Sequence, residues 1–120
     1  MEYDRHMRLL LISLLSLSLA ACETVVLKPP PDIAVGNSVK PTYTWLSQNV
    51  FGEICSYCHA ARPPFLMDYR SVQSVVKAGK PLESRLYYMV ATERMPKGSK
   101  LSEEKKWAIY HWIQNGAKDD

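Results

Sequence analysis

Five consecutive residues, Cys55-Ser56-Tyr57-Cys58-His59, set two thiols with two residues between them and an imidazole directly after the second. The remaining cysteine, Cys22, stands alone far upstream. Three cysteines cannot all pair, so a disulfide framework is excluded and at least one thiol has other chemistry. The chain has 120 residues, one domain's worth or less. Its net charge of +3 is too small for a dedicated nucleic-acid binder, which gathers basic residues on one face. With 22% charged and 10% aromatic residues it is not a self-repelling, disordered polymer either.

The first 21 residues read as a targeting segment. Arg5 and Arg8 precede an apolar, serine-containing run from Leu9 to Leu19, and Ala20-Ala21 lead into Cys22. That charged, apolar, small-residue order is a secretory signal. As a helix, Leu9 to Ala21 would reach only about 20 Å, short of the roughly 30 Å hydrocarbon core, so export is expected and not spanning. Leu19-Ala20-Ala21-Cys22 also resembles the bacterial lipobox, which implies cleavage before Cys22 and acylation of its thiol. Several acyl chains anchor stably where one is marginal. Glu23, not Asp, follows the cysteine, which implies the periplasmic side of the outer membrane, not the inner membrane, in a Gram-negative source. An ordinary signal with a chance cysteine at the cleavage site is the alternative. Met7-Arg8-Leu9 would itself make a signal start, so translation from either Met1 or Met7 fits.

Residues 22–41 are expected to be the lipidated cysteine and a tether. Pro29-Pro30-Pro31, Gly36-Asn37-Ser38 and Pro41 favour an extended spacer with no sustained period. Fully extended, it would span about 60 Å. From residue 42 to 120 the pattern turns helical. Thr42 or Thr44 can cap a helix carrying Leu46, Val50, Phe51 and Ile54 at intervals of three and four. Asp68 can cap a segment through Val72, Val75 and Val76 that Gly79 stops. Pro81 suits the first turn of a helix with Leu82, Leu86, Met89 and Val90 inward, ending before Pro96. Ser102, with Glu103 and Glu104 at the positive helix end, starts a last helix through Trp107, Ile109, Tyr110 and Ile113 to Asn115-Gly116. No alternating strand or repeat is present, so the expected class is all-α. A domain of about 80 residues has a marginal core. With no structural disulfide it would gain from a large apolar group inside it.

C-x-x-C-H is the attachment signature of c-type haem. Cys55 and Cys58 would add across the two vinyl groups of one porphyrin edge, and His59 would place its imidazole on iron. Attachment outside the cytoplasm agrees with the signal segment. Three rival readings use the same residues. A redox-active dithiol of Cys55 and Cys58 would want a βαβ context that is absent. Zinc would need Cys55, Cys58, His59 and His111 at unusual spacing. A plain Cys55–Cys58 disulfide is the third. The sixth iron ligand is expected to be a thioether, a soft donor that favours reduced iron. Met95, in Arg94-Met95-Pro96-Lys97-Gly98, sits in a loop held by proline before the last helix and is the chosen candidate. Met67 is eight residues from His59, a short reach to the opposite ring face; Met89 falls on an apolar stripe, and His111 lies mid-helix.

On these residues the chain resembles class I c-type cytochromes over roughly Thr42 to Ala117. Gly79-Lys80-Pro81-x-x-Ser84-x-Leu86, Met95-Pro96, Leu101, Glu104 and Trp112-Ile113-x-x-Gly116-Ala117 are similar to the short monohaem domain also found in planctomycete-type proteins. The resemblance implies three to five short helices around one covalently bound haem c, with iron held by His59 and Met95. It implies a near-perpendicular crossing of first and last helices, with Phe51 at the aromatic position. Ser47 stands where the family has a small glycine, and Gly52, on the same face, is expected to allow the close approach instead. The proximal imidazole would be oriented by a backbone carbonyl of a following proline, with Pro63 and Pro64 as candidates.

The expected function is a membrane-anchored, one-electron carrier between redox proteins outside the cytoplasm, not an enzyme, with the bilayer reached through Cys22 and no nucleic-acid partner. Arg94, Lys97 and Lys100 beside the ligand loop would steer an acidic partner or simply be solvated. Lys105 and Lys106 read as solvated helix-face charges. The alternatives are a gas-binding or sensing haem protein, or weak peroxidase, with a labile sixth ligand, and a haem-free lipoprotein using Cys55 and Cys58 as a redox dithiol.

Overall fold

Thr42 starts the first helical run: its Oγ1 accepts the Trp45 N–H at 3.2 Å, the usual satisfaction of an orphan donor at a helix start. The structure, a computed structural model, describes residues 22–120. The expected signal segment and both candidate start methionines lie outside the described residues. No helix among the described residues is long and apolar enough to cross a membrane.

The first run is not a uniform α-helix. Helix α1 (Tyr43–Leu46) passes into a π-helical stretch, Ser47–Cys55, and then into α2 (Ser56–His59). In the middle stretch the backbone bonds reach five residues back, as from Ser56 N–H to the Phe51 carbonyl, so each turn is wider than an α turn. Leu46, Val50 and Phe51 are buried and Ile54 is half-buried. Gly52 is exposed and does not mediate a helix crossing. A Cβ there would lie 2.7 Å from the Ser47 carbonyl oxygen of its own helix. The absent side chain therefore permits the wide turn, and Ser47 uses its hydroxyl locally, donating to the Thr44 carbonyl at 2.9 Å.

Helix α3 (Tyr69–Gln73) is capped by Asp68, whose carboxylate accepts the Ser71 N–H at 2.9 Å. Gly79, at φ +77°, ends this region and gives its N–H to the Ile113 carbonyl. The helix expected from Pro81 is split into a 3₁₀ turn, Pro81–Glu83, and α4 (Arg85–Ala91). The split follows from Ser84, which is 1% exposed and extended in backbone. Its Oγ accepts the Lys77 N–H at 2.8 Å and donates to the Lys80 carbonyl at 2.9 Å, closing the loop below α4. Leu82 consequently points outward, 39% exposed, while Leu86 and Val90 are buried and Met89 is half-buried.

Helix α5 (Glu103–Gln114) begins as expected, with Ser102 Oγ accepting the Lys105 N–H at 3.3 Å, and Gly116 at φ +106° turns the chain at its end. Ala108, Ile109, Tyr110, Trp112 and Ile113 enter one core with the apolar positions of the earlier helices. Trp112 meets the first run from the last. Its ring lies 6.4 Å from Phe51 and 6.0 Å from Tyr43, and its Nε1–H donates to the Lys118 carbonyl at 2.8 Å. The segment beyond α5 folds back over the start of α1: Asp120 accepts the Tyr43 and Thr44 N–H groups, and Ala117 O accepts from Tyr69 Oη and Gln73 Nε2. Among the described residues there is no strand, and the class is all-α.

Gly52→Ala tests the account of the π stretch. Helix propensity alone would favour alanine by about 1 kcal/mol, whereas the contact with Ser47 is expected to cost more, as overpacking does. Urea denaturation should show a net loss of roughly 1 kcal/mol; a gain in stability would overturn the assignment.

Candidate functional site

Cys55 closes the π stretch, and Cys58 and His59 end α2, so one helical run delivers all three side chains. Both cysteines are free thiols; Cys55 is half-buried and Cys58 exposed. Burial pushes the Cys55 thiol up to about 11, with Lys105 opposing that rise. This is the reverse of the lowered pKa that activates a redox-active thiol. His59 is half-buried with Nδ1 3.3 Å from the Arg62 carbonyl. With the proton on Nδ1 that nitrogen donates to the carbonyl, and Nε2 is left with an unshared lone pair. The orienting carbonyl therefore belongs to Arg62, the residue before Pro63-Pro64, and not to either proline. The chain turns back immediately after, as Leu66 N–H bonds the His59 carbonyl at 3.3 Å.

The zinc alternative required Cys55, Cys58, His59 and His111 together. Among the described residues no three His, Cys, Asp or Glu side chains converge on a metal-sized site. His111 instead stacks on Trp107, with ring centroids 4.3 Å apart, and meets Tyr110 edge-on at 5.3 Å. Burial lowers its pKa.

Met95 is half-buried in the loop between α4 and α5. Its N–H and that of Arg94 both bond the Met89 carbonyl at 3.0 Å, so the loop is fastened to the end of α4. Glu93, at φ +58°, turns the chain into the loop. Its carboxylate pairs with Lys100 at 2.8 Å and with Lys106 at 3.9 Å. Residues from Glu93 to Lys100, other than Met95, line a shallow concavity of about 390 Å³. Met67 is half exposed, as is Phe65, and Tyr57 is 95% exposed.

The two lysines expected to be solvated are structural. Lys106 is 7% exposed and forms an ion pair with Glu103 at 2.8 Å as well as the longer one with Glu93. Lys105 pairs with Glu53 at 2.8 Å. One turn of α5 thus ties the π stretch that ends in Cys55 to the loop that carries Met95. A run of two lysines near a helix start gave no sign of these ties in sequence: Glu103 is a local partner of Lys106, but Glu53 and Glu93 are distant along the chain. Around the loop, Lys100 is engaged by Glu93, and the Arg94 guanidinium lies 5.2 Å over the Tyr88 ring.

No family model, curated protein or solved structure matches the chain.

Lys100 and, more weakly, Lys106 hold the Glu93 carboxyl below the ordinary carboxylate range. A depressed folded pKa stabilises the fold above the unfolded value, and that contribution is lost as pH falls through the folded one. Glu93→Gln should therefore be less stable than the parent near neutral pH. The difference should vanish in acid, as read from urea denaturation across a pH series.

Proposed function

We propose that the protein is a membrane-anchored, monohaem c-type cytochrome that carries single electrons between redox proteins outside the cytoplasm. The observation that carries this reading is the Cys55–His59 motif at a helix end, with His59 Nδ1 beside the Arg62 carbonyl. Two unpaired thiols, an imidazole whose Nδ1 faces a backbone carbonyl and a thioether in a fastened loop suit haem c by their chemistry. Phe65 and Met67, both half exposed and a few residues after His59, supply apolar surface of the kind a porphyrin would cover.

On this reading Cys55 and Cys58 would hold the porphyrin covalently, and His59 and Met95 would hold its iron. When bound, haem supplies a one-electron Fe(III)/Fe(II) couple. The chain's own part is to hold and orient the ligands. The Arg62 carbonyl keeps the imidazole in one tautomer and orientation, which fixes the donor nitrogen and raises its basicity. The Met89 carbonyl and the Glu93 ion pairs keep the Met95 loop from opening. Two fixed ligands leave little geometry to change on electron transfer. Acylation at Cys22, the first described residue and an exposed one, would anchor the domain, on the periplasmic face of the outer membrane in a Gram-negative source.

Expression with cytochrome c maturation machinery, followed by haem staining after denaturing electrophoresis, should show haem that stays with the polypeptide. A chain without covalent haem would overturn the proposal and leave the thiols to other chemistry. In the holoprotein Met95→Ala should abolish the long-wavelength sulfur-to-iron absorption of the oxidised form and permit ready carbon monoxide binding when reduced. Persistence of that band would assign the ligand elsewhere. Ready carbon monoxide binding by the unmodified protein, without denaturation, would favour a gas-binding role.

A further inference from the structure

The segment between Cys22 and α1 has the composition of a loose spacer, yet its second half is docked on the domain. Tyr87 of α4 is 2% exposed and packs edge-on against Tyr110 at 5.2 Å. A hydroxyl at such a position needs a partner. Tyr87 Oη finds one 59 residues upstream, donating to the Lys28 carbonyl at 2.9 Å. Beyond that point Pro30, Ile33 and Val35 are half-buried, and the Asp32 carboxylate acts on His111 of α5. A turn closed by Val39 N–H on the Gly36 carbonyl at 2.9 Å then sets Val39 against the core.

We propose that residues 28–39 are a strap that holds the domain at the lipid surface, which rests on the reading that Cys22 is acylated. With the strap docked, only residues 22–27 separate the anchor from the domain. Six residues reach at most about 20 Å, against roughly 60 Å for a wholly released tether. Val25 and Val26, both more than half exposed, lie next to the acylated position and are apolar enough to enter the membrane interface. Such entry shortens the spacer further. The domain then samples a thin layer above the bilayer. Its electron donor or acceptor is accordingly a protein that presents a redox centre at the lipid surface, not one that stands far from it.

Two measurements on the mature holoprotein test the strap and the anchor separately. Backbone ¹⁵N relaxation on the purified chain, with or without lipid, should give order parameters near 0.85 through residues 28–39 and below about 0.6 for residues 23–26. Tyr87→Phe, which removes only the hydroxyl, should lower the values around Lys28. Values below about 0.6 throughout residues 28–39 of the unmodified protein would overturn the strap. Neutron reflectometry on supported bilayers should place the protein layer within about 20 Å of the headgroups. A bound layer standing off by a solvent gap of several tens of Å would also overturn it. Failure to bind bilayers at all would overturn the lipid anchor, while the relaxation values would still decide the strap.

Discussion

Trp112 is the contact on which the arrangement depends. Its ring is 1% exposed and lies against Tyr43 and Phe51, so the last helix is fixed to both the start and the middle of the first run. Aromatic pairs of this kind add about 1 kcal/mol each beyond the area they bury. The indole N–H is satisfied by Lys118 O, and that bond turns the following segment toward the first helix. Asp120 then receives the orphan N–H groups at the α1 start. A single buried side chain thereby couples hydrophobic packing to the satisfaction of helix-end donors.

The polar side of the same helix governs the candidate site. Lys105 reaches Glu53, two positions before Cys55, and Lys106 reaches Glu93, two positions before Met95. The segments that carry the thiols and the thioether are far apart in sequence and share no hydrogen-bonded ladder. They are held to one frame by adjacent residues of one helical turn. A buried lysine is costly unless it is paired, and Lys106 is paired with two carboxylates.

Much of the helical layout was legible because it rests on local chemistry. Thr42, Asp68 and Ser102 cap where their side chains can reach backbone donors two or three residues ahead, and the buried sets Leu46-Val50-Phe51 and Ile109-Ile113 follow helical spacing. The departures arise where a distant partner decides. Leu82 follows an apolar period, but Ser84 binds the backbone of Lys77 and Lys80 and breaks the helix. The two lysines of α5 look solvated until Glu53 is brought to Lys105, and Glu93 joins the local Glu103 at Lys106. Gly52 reads in sequence as room for a close helix approach, and only the wide turn around it shows that its missing Cβ answers to Ser47 and not to another helix. At the candidate site the motif identified the helix end and the three side chains, whereas the Arg62 carbonyl beside His59 depends on a loop path that spacing does not specify.

The widened turns between Ser47 and Cys55 also make that stretch a gauge of length. An inserted or deleted residue in a regular helix rotates everything after it by about 100°. Here the register runs from Leu46 and Phe51, locked in the core, to Cys55, Cys58 and His59 at the far end. Of its exposed positions Gly52 and Glu53 are tied to Ser47 and Lys105, and its number of residues is fixed by the two ends. One residue more or fewer in this stretch would therefore swing the two thiols and the imidazole about the helix axis.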